Sequence, residues 1–264
     1  MHKKILIILT GKLKFFSKKN YLLFKNLFKG NVDFCITPWN NTNNKIIQKF
    51  KTIYKPIFIK KIIQKNFNNK VKKIKYPDPE GNPIGTLNMW NSIEKSFKEI
   101  YKYYKFKKKP DYIVRYRSDI LPKNNIKFEF VEKINQRNIV ITDRYHWNGI
   151  NDQIFIIKYS DIKLFFSLNN FINEFIKQER YFSSEYIFQQ FLKFKKIKII
   201  YSSFNYKIMR FRLNKKKKIK VESKIKLDDL VNCKINKLKY KIRNFKDHYI
   251  KKKNLNKNQD IFIK

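Results

Sequence analysis

Asp111-Tyr112-Ile113-Val114-Arg115-Tyr116-Arg117-Ser118-Asp119-Ile120 is the stretch that decides how this chain of 264 residues is read. Its apolar half reads as a buried strand. It stops abruptly at two arginines and a carboxylate, in a chain with only 20 Asp plus Glu. In an open α/β sheet, ligands bind at the carboxyl ends of the strands. An Asp placed there beside two Arg can hold a divalent cation and the diphosphate that the cation neutralises, the chemistry of a nucleotide-activated donor. The plainer reading is a strand with a salt-bridged exit turn.

Outward from this stretch, strands and helices alternate. Lys4–Leu9 is a continuous apolar strand closed by the polar turn Thr10-Gly11-Lys12. Residues 17–28 have helical spacing, Val32–Thr37 is a second strand, Asn44–Tyr54 a second helix, and Pro56–Ile59 a short third strand. Tyr76–Gly85, with three prolines and two glycines, reads as a loop long enough to carry function. Leu87–Tyr104 is a long amphipathic helix leading into the decisive strand. Further on come a strand at Asn138–Thr142 ending at Asp143, a Trp147-Asn148-Gly149 turn, and Asn151-Asp152-Gln153 before the strand Ile154–Lys158. Helices over Ser160–Ile176 and Ser183–Lys193 and a late strand at Lys198–Tyr201 complete the pattern. Such alternation predicts a mostly parallel sheet with helices on its faces, over a domain spanning 1–212. Residues 213–264 read as a basic appendage, partly helical or disordered, beginning with the run Lys215–Lys218.

The charge is a poor guide to partners. Lys plus Arg number 62, giving a formal net charge of +42. Phosphate neutralisation would make nucleic acid the reflex partner. Alanine is absent, however, and Lys, Asn, Ile, Phe and Tyr are in excess, the signature of AT-rich codons. The lysines are spread along the whole chain, with no RNP, KH or zinc pattern, so nucleic-acid binding is the weaker alternative. A catalytically inactive binding protein of the same fold is another. Two distant cysteines and three isolated histidines suggest neither a disulfide framework nor a metal cluster. The short N-terminal apolar run reads as a strand and not a signal peptide, and no run approaches a membrane span. The expectation is a cytoplasmic protein. Apolar residues interleaved with the tail lysines would allow peripheral contact with the inner, anionic face of a membrane.

Asp119, Asp143 and Asp152 are carboxylates at strand ends or in turns. A transferase of sugars from nucleotides needs a cation or basic groups on the diphosphate and a carboxylate to deprotonate an acceptor hydroxyl. Asp119 is the candidate ligand, Arg115 or Arg117 the diphosphate contact, and Asp152 or Glu185 the base. The order of these segments resembles a family of bacterial and viral polysaccharide glycosyltransferases related to the WavE-type lipopolysaccharide synthesis proteins. The resemblance rests on Thr10-Gly11-Lys12-Leu13-Lys14-Phe15, Asp33-Phe34-Cys35-Ile36-Thr37-Pro38-Trp39, the 111–119 strand, and Asn151-Asp152-Gln153-Ile154-Phe155 with Ser184-Glu185. It implies a GT-A-like (Rossmann-like) α/β fold and a nucleotide-sugar donor held by Thr10, Gly11, Lys12, Arg115, Arg117, Asp119 and Asp143. It also implies a glycan or lipid-linked glycan acceptor, hexosyltransferase-like chemistry, and a divalent cation (Mn²⁺ or Mg²⁺) on Asp119. Arg117 stands where the family's DxD motif has its first Asp, which leaves fewer carboxylates for a metal. Lys12 and Lys14 stand where Arg is expected, keeping charge but losing bidentate geometry.

Overall fold

Ile5-Leu6-Ile7-Ile8-Leu9 is apolar at every position because both of its faces are covered. A computed structural model describes residues 3–13, 18–27, 31–79, 81–122, 134–142, 149–202, 206–214 and 217–222. In it, that run lies within β1 (Ile5–Gly11), followed by α1 (Lys18–Leu27), β2 (Val32–Pro38), α2 (Asn44–Tyr54) and β3 (Phe58–Ile59). Next come α3 (Asn68–Val71), β4 (Tyr76–Pro77), α4 (Pro83–Tyr103), β5 (Tyr112–Tyr116), β6 (Ile120–Pro122) and β7 (Asn138–Thr142). The chain continues with β8 (Ile154–Lys158), a 3-10 segment (Tyr159–Ser167), α5 (Leu168–Lys177), β9 (Tyr181–Phe182) and α6 (Ser184–Phe194). It ends, as described, with β10 (Lys198–Ser202), β11 (Tyr206–Asn214) and β12 (Lys217–Glu222).

Seven strands form the main sheet in the order β10-β7-β8-β5-β1-β2-β3. All neighbours are parallel except β8, which runs antiparallel to both β5 and β7. The expected mostly parallel α/β sheet flanked by helices is therefore the one observed. Residues 143–153, which connect β7 to β8, are at the lower limit for the crossover that a parallel return requires and ample for an antiparallel one. Reversal of β8 carries its amino end to the carboxyl end of β5, with Ile154 opposite Tyr116.

Side chains alternate between two cores. Leu6, Ile8, Ile113, Phe155 and Ile157 face α4, α5 and α6, while Ile5, Ile7, Leu9, Val114 and Ile156 face Phe50 and Tyr54 of α2. Phe155 is the aromatic hub of the first core. It stacks on Phe165 at 5.5 Å and meets Phe97 and Phe188 at 6.2 and 5.3 Å. α4 starts where Asn82 caps it by accepting the Gly85 N–H at 2.9 Å, with Pro83 in its first turn.

Three features differ from the pattern read in the sequence. The helix expected over Ser160–Ile176 is a 3-10 segment followed by α5, divided at Ser167–Leu168. The loop expected at Tyr76–Gly85 includes β4, which pairs in parallel with β9. β11 pairs with β6 and β12 and runs through the boundary expected at 212/213. The remainder of that appendage, 223–264, lies outside the described residues.

Because Phe155 is fully buried among three rings, Phe155→Ala is expected to cost ~3–5 kcal/mol, measured as a lowered urea midpoint. A loss below ~1 kcal/mol would show that the core collapses around the gap and that the ring is no hub.

Candidate functional site

β1 and β5 end side by side, so their exit turns meet. Ser118 donates from its hydroxyl to the Lys12 carbonyl at 3.4 Å across this junction. Arg117 turns its guanidinium onto Asp119 through two bonds, Nε to Oδ1 at 3.0 Å and Nη2 to Oδ2 at 2.7 Å. Asp119 is 4% exposed overall, whereas the Arg117 side chain keeps 29% of its surface in solvent. This forked geometry is the strong form of an ion pair, and it fixes the plane of both groups. Asn20 and the Tyr116 hydroxyl hold the Ile120 carbonyl just behind it, at 3.0 and 2.8 Å.

The reversed β8 supplies the other half of the site. Asn151-Asp152-Gln153 precedes it as a buried turn, in which the Asn151 side chain accepts the Gln153 N–H at 2.8 Å. The Gln153 carbonyl accepts the Arg117 N–H at 3.2 Å, tying this turn to the exit of β5. Arg115, 1% exposed near the carboxyl end of β5, donates from Nη1 to the Asp152 carbonyl. The Asp152 carboxylate accepts a hydrogen bond from the Ser184 hydroxyl, at the first turn of α6. Ser183 caps that helix by accepting the Tyr186 N–H at 3.2 Å.

Glu185 follows directly. Burial, and then the neighbouring Asp152 and Asp78 carboxylates, push its carboxyl up to about 7, against a backbone hydrogen bond and the Arg117 charge that pull the other way. Asp78 arrives from the loop after β4, where its N–H donates to the Phe182 carbonyl at 3.0 Å. Gly149 closes tightly on the same turn. A Cβ added there would lie 2.4 Å from the Glu185 carbonyl carbon, so this glycine serves a backbone contact.

The residues singled out from sequence divide as follows. Arg117, Asp119, Asp152 and Glu185 converge, with Lys12 exposed at the rim. Arg115 is a brace beneath the Asp152 turn, away from solvent. Thr10 is 7% exposed, and its hydroxyl lies 3.0 Å from Ser96 Oγ, which also bonds the Thr37 hydroxyl and the Ser92 carbonyl, all of them buried. Gly11 adopts a left-handed φ of 88° and receives the Trp39 N–H on its carbonyl at 3.1 Å. Asp143 lies outside the described residues. Asp78 escapes the sequence reading; the prolines and glycines of its loop are the available signal.

The residues of this junction do not fit a divalent cation as they stand. Both Asp119 oxygens accept from Arg117, and among the described residues no three His, Cys, Asp or Glu side chains converge to hold a metal ion. A metal at Asp119 would have to displace a bidentate guanidinium.

No family model matches the sequence, and no curated protein matches it. Solved structures with a similar course of chain include mouse xyloside xylosyltransferase 1, with a TM-score of 0.40, 9% identity, and 76% of this chain and 84% of that one covered. A glycosyltransferase involved in the glycosylation of the major capsid of PBCV-1 gives 0.38 and 9%, covering 76% and 82%. The nucleoside-diphosphate-sugar pyrophosphorylase from Vibrio cholerae RC9 gives 0.42 and 9%, covering 75% and 91%.

Because the Glu185 carboxyl is raised from 4.5 to about 7 on folding, the unfolded chain ionises it first as pH rises. Stability is therefore expected to fall between those two values, by on the order of 3 kcal/mol, and to level off above them. Glu185→Gln should flatten that slope in urea midpoints taken across the range. An unchanged slope would place the residue in an ordinary solvated environment.

Proposed function

We propose that the chain is a glycosyltransferase, moving a sugar from a nucleotide-sugar donor to a glycan or lipid-linked glycan acceptor in surface polysaccharide, capsule or lipopolysaccharide assembly. The reading is carried by the meeting of the Arg117–Asp119 pair with Glu185 and Asp152 at the carboxyl end of the central strands. A GT-A-like fold is part of the proposal, as is the resemblance to WavE-type proteins seen in the motifs around Asp119 and Asp152.

The donor diphosphate lies across the exits of β1 and β5, where Lys12 and Arg117 supply positive charge and Asp119 fixes the guanidinium plane. As the acceptor oxygen bonds to the anomeric carbon, the bond from that carbon to the diphosphate breaks. The nucleoside diphosphate leaves, stabilised by these basic groups. The acceptor hydroxyl gives its proton to the Glu185 carboxylate, whose pKa of about 7 suits a base at neutral pH. Asp152, held by Ser184, keeps that pKa high through its charge. No step depends on a metal. The basic stretch 213–264 would add attachment to an anionic membrane surface.

The test is a panel of nucleotide sugars, scored both for thermal protection and for transfer or donor hydrolysis. A cognate donor at a hundred times its Kd adds roughly 2.7 kcal/mol of stability. Protection by no member of the panel would sink the reading. With the cognate donor, Glu185→Gln should lower kcat by roughly 10²–10⁴-fold while leaving donor protection intact. Wild-type kcat/KM should climb as pH rises through about 7, as Glu185 loses its proton.

The ion pair gives a separate expectation. Arg117→Lys keeps the charge but loses the fork, so donor protection should weaken by roughly tenfold or more, whether or not EDTA is present. Full sensitivity of the wild type to EDTA would instead return a cation to Asp119.

A further inference from the structure

The amino ends of β1 and β5 and the carboxyl end of β8 meet at the opposite end of the sheet from Arg117 and Glu185. They frame a cavity of about 470 Å³. Four lysines line it, Lys3, Lys109, Lys158 and Lys163, together with Tyr101 and Tyr159. Lys163 sits over the Tyr101 ring, its Nζ 4.9 Å from the centroid. Tyr159 is 6% exposed, and its buried hydroxyl has no hydrogen-bond partner.

The acidic groups nearby are already engaged. Asp111, which lines the cavity itself, accepts the Lys4 N–H at 2.7 Å, Asp161 accepts the Arg137 N–H at 2.8 Å beside Lys158, and Glu99 pairs with Lys102 at 3.3 Å. The rim is Lys105-Phe106-Lys107-Lys108-Lys109, every residue of it exposed. Phe106 is 88% exposed, more than any other large apolar side chain among the described residues. A ring left in water at the tip of a lysine turn, beside a basic cavity, has the chemistry of a headgroup contact with an inserted aromatic anchor.

We propose that this end of the sheet docks on an anionic phospholipid membrane, with Phe106 entering the acyl boundary and the Lys109–Lys163 cavity receiving a headgroup phosphate. The surface is distinct from the basic stretch 213–264 and does not rest on the transferase reading. The sheet would hold the Arg117–Glu185 end on the order of 20 Å from the lipid, facing solvent.

The test uses the full chain and vesicles of phosphatidylcholine with or without phosphatidylglycerol, compared by co-sedimentation. Charge alone makes any protein of +42 adhere to anionic vesicles, so the decisive variant leaves charge unchanged. Phe106→Ser, at a position too exposed to affect folding, is expected to weaken binding to phosphatidylglycerol vesicles roughly tenfold. Phe106→Trp should gain a blue-shifted emission component with those vesicles, and none with inorganic phosphate alone. Lys109→Glu with Lys163→Glu should weaken binding far more than Lys45→Glu with Lys49→Glu, an equal charge change on the exposed face of α2. Wild-type binding by Phe106→Ser, an unshifted emission from the Phe106→Trp variant, or equal losses from the two charge pairs would each overturn the proposal. So would a cavity that takes inorganic phosphate while Phe106 stays in water, or charge reversals that abolish single-stranded RNA binding and leave vesicle binding intact.

Discussion

A guanidinium 1% exposed in the middle of a sheet must be met by acceptors, because an unmatched buried charge costs several kcal/mol. Arg115 occupies that position in β5, between Ile8 of β1 and Phe155 of β8. One acceptor is the Asp152 carbonyl. That bond fixes the turn before β8, the turn fixes Gln153 against the Arg117 N–H, and the Asp152 carboxylate is thereby set against Ser184. A residue that looked like a ligand contact in the sequence is the brace on which the neighbouring polar groups are aligned.

The consequence is a concentration of carboxylates on a chain that has few. Asp78, Asp119, Asp152 and Glu185 gather at one end of the sheet, on a protein whose basic groups outnumber its acids by about three to one. Asp119 is neutralised by a forked arginine, whereas Glu185 is left to feel the charges of Asp152 and Asp78. The two environments separate the roles of the carboxyls. One is locked in a fork with a cation of the protein itself, and the other, raised to about 7, can exchange a proton near neutral pH.

The reversed strand also polarises the molecule. Because β8 runs against β5, its amino end joins the carboxylate-rich side and its carboxyl end adds Lys158 to the basic side. No described helix is long and apolar enough to cross a membrane.

Much of this was legible in the sequence. The unbroken apolar run of β1 declared a strand covered on both faces, and the strand–helix alternation declared the layered α/β sheet. The abrupt polar endings of β1 and β5 and the Ser184-Glu185 pair pointed to the candidate site, because burial period and polar strand ends are local properties. What local pattern could not decide was partnership. The direction of β8 depends on the length of its connection and on which edges remain open, and the bonding of Arg117 to Asp119 depends on a turn geometry that spacing does not encode. Asp78 reaches Glu185 only through the β4–β9 pairing of segments a hundred residues apart in sequence. The raised proton affinity of Glu185 is likewise a tertiary property, since it comes from burial and from charges delivered by two other elements. Local chemistry names the polar residues at the ends of buried strands, and only the folding of distant segments onto one another chooses which of them meet.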